Sequence, residues 1–235
     1  MQATPQYLDR FPDIKDERRR VYAAMVSALD DGVGAILGKL RETELERDSL
    51  IVFLSDNGCA TYTNACTNAP LRLGKLTHLE GGFRVLFALQ WTGRLKAGML
   101  YDQPVSSLDL FPTAVAAAGG ALPSDRPYDG VNLAPFLTGA KRSAPHDILC
   151  WRNGPNSAIR KGKWKLFQAG RHAFLYDLAS DIGETRNLAA QFPAVVDELK
   201  TTFAQWEAQM LPPLWPCRQT ARPWPFEGLQ LDVCI

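Results

Sequence analysis

Apolar and polar positions follow two different periods along this chain, and each period predicts a different element. Between about Asp16 and Arg41, apolar residues recur every three or four positions, which predicts a long amphipathic helix. Leu50–Leu54 is a continuous apolar run, which is typical of a strand buried on both faces, and a second apolar strand is predicted from Phe83 to Trp91. A helix followed by buried strands predicts the α/β class, with helices on a mainly parallel sheet.

A further helix and a long loop complete the first part of the chain. In VSSLDLFPTAVAAAGG, Ser107 or Asp109 is placed to cap a helix that has Pro112 in its first turn and a Gly-Gly pair at its end. The stretch that follows is rich in Pro, Asp and Gly and predicts a loop, with a short helical turn at 133–137. We therefore expect residues 1–146 to form one portion of an α/β domain.

Residues 147–235 are predicted to form a small α+β subdomain with a Pro/Trp-rich tail. Short alternating strands at 158–160, 164–167 and 174–177, separated by glycine-containing turns, predict a small antiparallel sheet. A helix is predicted from Pro193 to about Met210, and the tail after it is expected to be irregular and packed by its tryptophans. Only two buried strands precede this module, and a sheet of two strands leaves an apolar edge uncovered. We therefore expect the chain to be the C-terminal part of a larger protein.

Composition and charge exclude several classes of protein. Of 235 residues, 46% are hydrophobic and 22% are charged, which excludes global disorder. Lys and Arg number 26 against 25 Asp and Glu, so the net charge of +1 provides no field for a polyanion and nucleic acid is not an expected partner. Because no uninterrupted apolar run approaches about 18 residues, no membrane span is predicted. The N-terminus lacks the apolar core of a signal peptide, and the sequence determines neither the oligomeric state nor the compartment.

Candidate chemistry lies just after the first predicted strand and in the loop that follows it. Asp56 and Asn57 stand at the carboxyl end of this strand, where open α/β sheets bind ligands, and their oxygens suit Ca²⁺ or Mg²⁺. Two or three oxygens do not complete such a site, and Asp-Asn-Gly is also a common turn. Lys75, next to Gly74, is placed to bind an anionic oxygen, unless it is a solvated surface lysine.

The sequence gives little support to other common kinds of catalytic site. The histidines at 78, 146 and 172 are scattered, and neither a G-x-S-x-G elbow nor a pair of carboxylates at strand ends occurs, so a serine hydrolase or a glycosidase is not indicated. For Arg84, an ion pair with Glu80 or Asp109 is preferred over an anion clamp. Cys59 and Cys66 are either joined by a disulfide or reduced, since the sequence does not determine whether the compartment is oxidising.

Taken in order, six segments resemble a known family. They are LIVFLSDNG, NAPLRLGKLTHLEGGFRV, YDQPVSSLDLFPTAVAAAG, DGVNLAPFLTG, AIRKGKWKLF and LYDLASDIGETRNLA. This order resembles the C-terminal half of bacterial arylsulfatase-type sulfatases, from about Tyr7 to Trp215. The most specific pair is DNG followed by GKxxxxEGGxR.

The resemblance implies an alkaline-phosphatase-like α/β fold with a smaller antiparallel subdomain. It implies hydrolysis of sulfate esters, on a sulfated small molecule or glycan, by a formylglycine nucleophile beside Ca²⁺ or Mg²⁺. By the same resemblance, Asp56 and Asn57 are metal ligands, and Lys75 is both a substrate-binding and a catalytic residue that holds the sulfate group and its bridging oxygen. A parent enzyme of this type is expected to be periplasmic or secreted.

The sequence also departs from the family pattern. The nucleophile motif, Cys or Ser followed by x-Pro-x-Arg, is absent, as are the early acidic metal pair and the histidine and lysine of the family. We therefore expect a C-terminal fragment that is inactive alone and binds Ca²⁺ or Mg²⁺ weakly. Two alternatives stay open, namely a related phosphoester or phosphonate hydrolase and a non-catalytic scaffold or binding protein.

Overall fold

The computed structural model describes residues 1–215 and 224–232, the side chain of Trp224 excepted, and has the α/β character expected from the sequence. The helices are α1 (Pro5–Leu8), α2 (Glu17–Glu42), α3 (Glu80–Phe83), α4 (Leu110–Ala117), α5 (Ala134–Leu137) and α6 (Pro193–Glu207). The strands are β1 (Leu50–Leu54), β2 (Phe87–Trp91), β3 (Ile148–Asn153), β4 (Asn156–Lys161), β5 (Trp164–Ala169), β6 (His172–Asp177), β7 (Trp224–Phe226) and β8 (Leu229–Leu231). By contacts the chain divides into two compact units, each described separately below.

The first unit comprises Met1–Asp13, Ala23–Leu54 and Leu86–Asp147. Its two strands, β1 and β2, pair antiparallel, with Leu50 opposite Trp91, and the expectation of parallel strands is wrong for this pair. The physical reason lies in burial, because β1 is only half-buried along its length and β2 alternates half-buried and exposed positions. Antiparallel pairs tolerate a face in contact with water, whereas parallel strands are usually covered on both faces.

The loop after α4 is tied back to the start of that helix by one buried carboxylate. Asp109 is fully buried, and it accepts hydrogen bonds from the backbone N–H groups of Ser106 (2.7 Å) and Val131 (2.8 Å). The Nε2 atom of His146 lies 2.9 Å from the same carboxylate. Asp109 is the N-cap residue of α4, as one of the two predicted alternatives has it, although its side chain makes no cap hydrogen bond to that helix. Ser106 caps the preceding 3-10 turn at Ser107–Asp109, and Asp109 completes its capping box.

Helix α2 follows the predicted bounds to within one residue at each end. Of its residues only Ala24 is buried, and an 18-residue window within it has a mean hydropathy of 1.3. By length and composition alone α2 is therefore able to span a membrane, so the expectation of no span is not confirmed. Core helices of globular proteins and signal sequences share this length and composition.

The second unit comprises Ile14–Tyr22, Ser55–Val85 and the described residues of Ile148–Ile235. Its centre is the four-stranded antiparallel sheet β3–β4–β5–β6, as the alternating pattern predicts. The turn glycines Gly162 and Gly170 both have positive φ, which glycine adopts without steric cost. Further along, β7 and β8 form a two-stranded sheet where irregular structure was expected.

Each face of the four-stranded sheet has its own hydrophobic core. On one face Ile159, Leu166 and Leu175 pack against α6, whose core-facing residues are Val196, Leu199 and Phe203. The opposite face is covered by the loop that precedes β2 and by residues of β7 and β8, in a cluster of Leu79, Phe167, Phe174, Tyr176, Phe226 and Leu231. A fully buried side chain of this kind stabilises the fold by about 2 kcal/mol.

Two further expectations differ from the structure. The predicted second strand begins at Phe87 rather than Phe83, because Glu80–Phe83 forms the short helix α3. Trp215 is 79% exposed, so this tryptophan of the tail does not pack as predicted, and residues 216–223 lie outside the described residues. The domain boundary at 146/147 stays a prediction.

Candidate functional site

The turn after β1 holds the two predicted metal ligands. The Ser55 hydroxyl donates a hydrogen bond to the Asn57 carbonyl oxygen (2.8 Å), and the Asn57 N–H donates to Oδ1 of Asp56 (2.9 Å). The Asn57 side-chain nitrogen donates to the carbonyl oxygen of Gly58 (3.1 Å), which fixes the orientation of the amide. Asp56 is exposed and Asn57 is half-buried. Oδ2 of Asp56 and Oδ1 of Asn57 accept no hydrogen bond from the described residues. A cation that binds these two oxygens therefore displaces no existing hydrogen bond.

The loop that contains Lys75 is joined to this turn through Cys59. The Lys75 N–H donates to the Cys59 carbonyl oxygen (3.1 Å), so the backbone of Lys75 contacts a residue only three positions after Asp56. Asn68 braces the same point, accepting from the Cys59 N–H (3.0 Å) and donating to the Cys59 carbonyl oxygen (3.2 Å). Cys59 and Cys66 form a disulfide, which answers the alternative left open by the sequence. Convergence of the three side chains on one cleft stays a prediction.

Four glycines let the two parts of the segment pack backbone against backbone. The Gly58 N–H donates to the Gly82 carbonyl oxygen (2.8 Å). A Cβ atom at Gly58 would overlap the Gly81 carbonyl oxygen, and one at Gly74 would overlap that of Cys59. Glycines 81 and 82 are equally enclosed by the backbone of 72–77. Any side chain at these positions would push the Asp56 turn and the Lys75 loop apart.

A buried cluster of charges attaches this segment to the four-stranded sheet. The Nζ atom of Lys165, on β5, lies 2.9 Å from Oε1 of Glu80 and 2.7 Å from Oε1 of Glu184. The Glu80 N–H donates to the other carboxylate oxygen of Glu184 (2.6 Å). All three side chains are at most 1% exposed. Burial raises the pKa of Glu184, and the charge of Lys165 opposes that rise. Removing Lys165 would leave two buried carboxylates without the cation that lies between them.

Three other titratable residues of this unit, His78, Cys150 and Arg84, have surroundings typical of structural residues. His78 is buried, with its ring stacked on Phe167, and burial together with the positive charge of Lys165 lowers its pKa to about 4. Burial raises the pKa of the free thiol of Cys150 to about 12, which keeps it protonated and weakly nucleophilic. Arg84 lies 3.7 Å from Glu80, which selects Glu80 over Asp109 as its partner.

Sequence reasoning missed the residues that hold the site in place. Asn68 was an unremarked polar residue of a loop, and only its three side-chain bonds reveal its bracing role. Lys165 was only one residue of a predicted strand and Glu184 was not singled out, whereas both are fully buried. The available signal was Glu80 within Leu-Glu-Gly-Gly, since a charged residue among buried small and apolar ones needs a buried partner.

A divalent metal ion is expected at this site from the family resemblance, and the residues present supply only part of its ligands. Oδ2 of Asp56 and Oδ1 of Asn57 are hard oxygens of the type that Ca²⁺ and Mg²⁺ prefer. Among the residues that the structure describes, no group of three or more His, Cys, Asp or Glu side chains is arranged to hold a metal ion. The chemistry of the donors fits such an ion, and the number of donors requires further ligands.

Comparison with known proteins places these features in context. The model of the family described as Sulfatase matches residues 1–121, which is more than half of the chain. N-acetylgalactosamine-6-sulfatase of Canis lupus familiaris is 34% identical over 164 residues, covering 68% of this chain and 31% of its own length. The chain thus spans about a third of that curated relative.

Solved structures show the same likeness. The crystal structure of Ps i-CgsB in complex with k-i-k-neocarrahexaose matches 92% of this chain and 49% of its own, with a TM-score of 0.84 and 31% identity. The phosphonate monoester hydrolase of Agrobacterium radiobacter matches 82% of this chain and 42% of its own, with a TM-score of 0.65 and 26% identity. The fold is therefore the alkaline-phosphatase-like α/β fold. From the family match and the aligned relatives together, the chain belongs to the sulfatase family.

Proposed function

We propose that this chain supplies part of a site for the hydrolysis of sulfate esters. Asp56 and Asn57 provide two ligands for a divalent cation, and Lys75 binds the sulfate group. The observation behind the proposal is the shared joint at Cys59, which lies three residues from Asp56 and accepts the backbone N–H of Lys75 within the region matched by the family model. This joint connects a cation-binding turn to an anion-binding lysine.

The roles of the residues follow from their chemistry. A divalent cation held by the Asp56 carboxylate and the Asn57 amide oxygen, with further ligands, would polarise the sulfate oxygens when bound. The Lys75 ammonium is a compact donor of three hydrogen bonds that stabilises negative charge developing on the leaving oxygen. The disulfide, Asn68 and the enclosed glycines hold the backbone of both parts still, so little reorganisation is required when substrate binds.

The chain alone is proposed to bind the ester without turning it over. Sulfate-ester hydrolysis needs an activated nucleophile, and the family motif for it does not occur in the 235 residues. None of the cysteines at 59, 66, 150, 217 and 234 begins the required Cys-x-Pro-x-Arg pattern. The "arylsulfatase-type" description, the choice between Ca²⁺ and Mg²⁺, and action on a sulfated glycan or small molecule belong to this same proposal.

Binding of 4-nitrophenyl sulfate in the presence of Ca²⁺, measured by isothermal titration calorimetry, tests the proposal. We expect Lys75→Ala and Asp56→Ala to weaken binding about tenfold each, because each removes a charge-assisted contact. Lys96→Ala, which removes an exposed lysine of the other unit, is the matched control and should leave binding unchanged.

Three outcomes would overturn parts of the proposal. Equal binding by the wild-type chain and both site variants would remove Lys75 and Asp56 from the site. Tighter binding of 4-nitrophenyl phosphonate than of the sulfate would favour the phosphonate hydrolase alternative, to which the structural neighbour of that activity already points. Turnover of the sulfate that both variants abolish would show that the chain contains its own nucleophile.

A further inference from the structure

Two arginines from distant parts of the sequence approach the same buried carboxylate. Guanidinium nitrogens of Arg84, which follows α3, and of Arg160, on β4, lie 3.7 Å and 3.9 Å from Oε2 of Glu80. The Glu80 side chain is 1% exposed, whereas those of Arg84 and Arg160 are 52% and 21% exposed. The carboxylate therefore lies in the interior, and the two guanidinium groups lie between it and solvent.

These contacts leave most of the guanidinium donors free. Both distances exceed the range of about 2.7–3.2 Å for an N–H···O hydrogen bond, and Oε2 of Glu80 has no hydrogen-bond partner among the described residues. Within the described residues the guanidinium group of Arg84 donates no hydrogen bond, and that of Arg160 donates one long bond, from Nε to the Gly162 carbonyl oxygen (3.4 Å). Two planar groups with five N–H donors each thus stand close together without matching acceptors.

The charges of the cluster do not cancel. Three cations, Lys165, Arg84 and Arg160, meet two carboxylates, Glu80 and Glu184, and Lys165 lies between the two carboxylates at bonding distance. The surplus positive charge is therefore on the arginines, at the exposed side of the cluster. Burial lowers the pKa of Arg160, and the like charge of Arg84 lowers it further, against the attraction of Glu80. An anion bound between the guanidinium groups would relieve this crowding.

An aromatic pair lies on the same face of the sheet. In the register of β3 and β4, Trp151 is opposite Ala158 and Leu149 is opposite Arg160, so Trp151 and Arg160 project from the same face. The half-buried ring of Trp151 stacks on Phe83, the residue before Arg84, with centroids 4.2 Å apart and planes 11° apart. A flat apolar ring beside two guanidinium groups suits a ligand with an apolar face and an anionic substituent.

Along the backbone, Arg84 lies close to the turn that holds Asp56 and Asn57. Gly58 and Gly82 are hydrogen-bonded, Asn57 precedes the first and Arg84 comes two residues after the second. From standard backbone dimensions, the Cα atoms of Asn57 and Arg84 lie at most roughly 13 Å apart. A short oligosaccharide is long enough to contact both regions.

We propose that Arg84 and Arg160 form a second anion subsite, which binds a sulfate group on a sugar unit neighbouring the one held at Lys75. The identity of the anion as a sulfate ester rests on the proposed function, whereas the subsite itself rests on the arginine pair. The substrate class is thus an oligosaccharide with more than one sulfate group. Guanidinium groups suit this role because they present paired N–H donors to two oxygens of one tetrahedral sulfate group.

Calorimetric titration of the chain with a polysulfated hexasaccharide and with its unsulfated parent tests the subsite. We expect Arg84→Gln and Arg160→Gln each to weaken binding of the sulfated sugar about tenfold, and to leave binding of the unsulfated sugar unchanged. Arg171→Gln removes the same charge from an exposed turn of the same unit and should change neither value more than twofold. Arg160→Lys, which retains the charge facing Glu80, should fold normally and still lose most of the affinity, because the ammonium cannot form the paired contact.

The outcomes separate the subsite from the proposed function. Hexasaccharide binding that depends on Arg84 and Arg160, in a chain whose binding of 4-nitrophenyl sulfate is indifferent to Lys75→Ala, would support the subsite and contradict the proposed function. Equal losses for Arg171→Gln and Arg84→Gln would show non-specific attraction and overturn the subsite. So would affinity for the hexasaccharide that none of the arginine variants changes.

Discussion

Replacing Lys165 by Met removes the only cation that lies between Glu80 and Glu184 at bonding distance in the described residues, while it keeps most of the side-chain volume. The Nζ atom lies within 2.9 Å of both Oε1 atoms, so these two oxygens are less than about 6 Å apart. With the ammonium gone, two buried carboxylates would face each other. We expect Lys165→Met to reduce the free energy of unfolding by about 3 kcal/mol at pH 7.

Two independent estimates agree on this size. At an effective dielectric constant of about 20, two like charges about 6 Å apart repel by about 3 kcal/mol. The protein can avoid the repulsion by protonating one glutamic acid, whose ordinary pKa is 4.5. At pH 7 that protonation costs about 3 kcal/mol, and the cost falls by about 1.4 kcal/mol for each pH unit below 7. The destabilisation should therefore shrink to about 1 kcal/mol near pH 5.

Urea unfolding followed by far-ultraviolet circular dichroism, at pH 7 and pH 5, measures the effect. Lys163→Met is the matched control, because Lys163 is 52% exposed and pairs with Asp177 at the surface, where a pair contributes less than about 1 kcal/mol. The double variant Lys165→Met/Glu184→Gln should recover most of the loss, since it leaves a single buried carboxylate. A loss below 1 kcal/mol for Lys165→Met at pH 7, or a loss that grows towards pH 5, would refute the reasoning.

Three further predictions concern the same unit and its neighbour. Gly58→Ala should lower stability by more than about 2 kcal/mol in urea unfolding, because the new Cβ meets a backbone oxygen, whereas Gly34→Ala, in open space on α2, should raise it by about 0.5–1 kcal/mol. His78 has a folded pKa of about 4 against an ordinary 6.5, so the unfolded chain binds the extra proton and stability should fall as pH drops from 6.5 to 4. Relative to His78→Gln, the free energy of unfolding from urea titrations should change by an amount approaching about 3 kcal/mol over that pH range, and parallel curves would contradict the assignment. Replacing both Cys59 and Cys66 by Ser opens a loop with a sequence separation of 7, which should cost about 2–3 kcal/mol in the same assay, and an unchanged midpoint would contradict a stabilising role.

The elements with strong periodicity were predictable from the sequence. The bounds of β1 agree with the apolar run, and α2 agrees to within a residue at each end, because a long repeat every three or four positions has few other interpretations. The antiparallel sheet of the second unit was signalled by alternation and by glycine turns. By contrast, the direction of β2 relative to β1 was not predictable, since an apolar run fixes burial and leaves strand direction open.

For the candidate site, sequence reasoning identified the groups with chemistry and missed those that support them. Asp56, Asn57 and Lys75 were chosen because of their residue types and their position after a strand. Glu80 and Lys165 meet across 85 residues of sequence, and a contact at that separation has no local pattern. Their pairing is decided by tertiary packing, which only the structure supplies.

The distance in sequence between the partners of the buried charge cluster has a consequence for biosynthesis. The Glu80 carboxylate pairs with Lys165, 85 residues later in the sequence, and the Glu80 N–H donates a hydrogen bond to Glu184, 104 residues later. A ribosome that adds about 5–20 residues per second emits these partners roughly 5–20 seconds after Glu80 has emerged. During that interval the segment that contains Lys75 has no sheet to dock on, with Leu79 and the Glu80 carboxylate in water. The segment that contains Lys75 can therefore dock only after β5 and the residues up to Glu184 have been synthesised, so the candidate site forms after the four-stranded sheet.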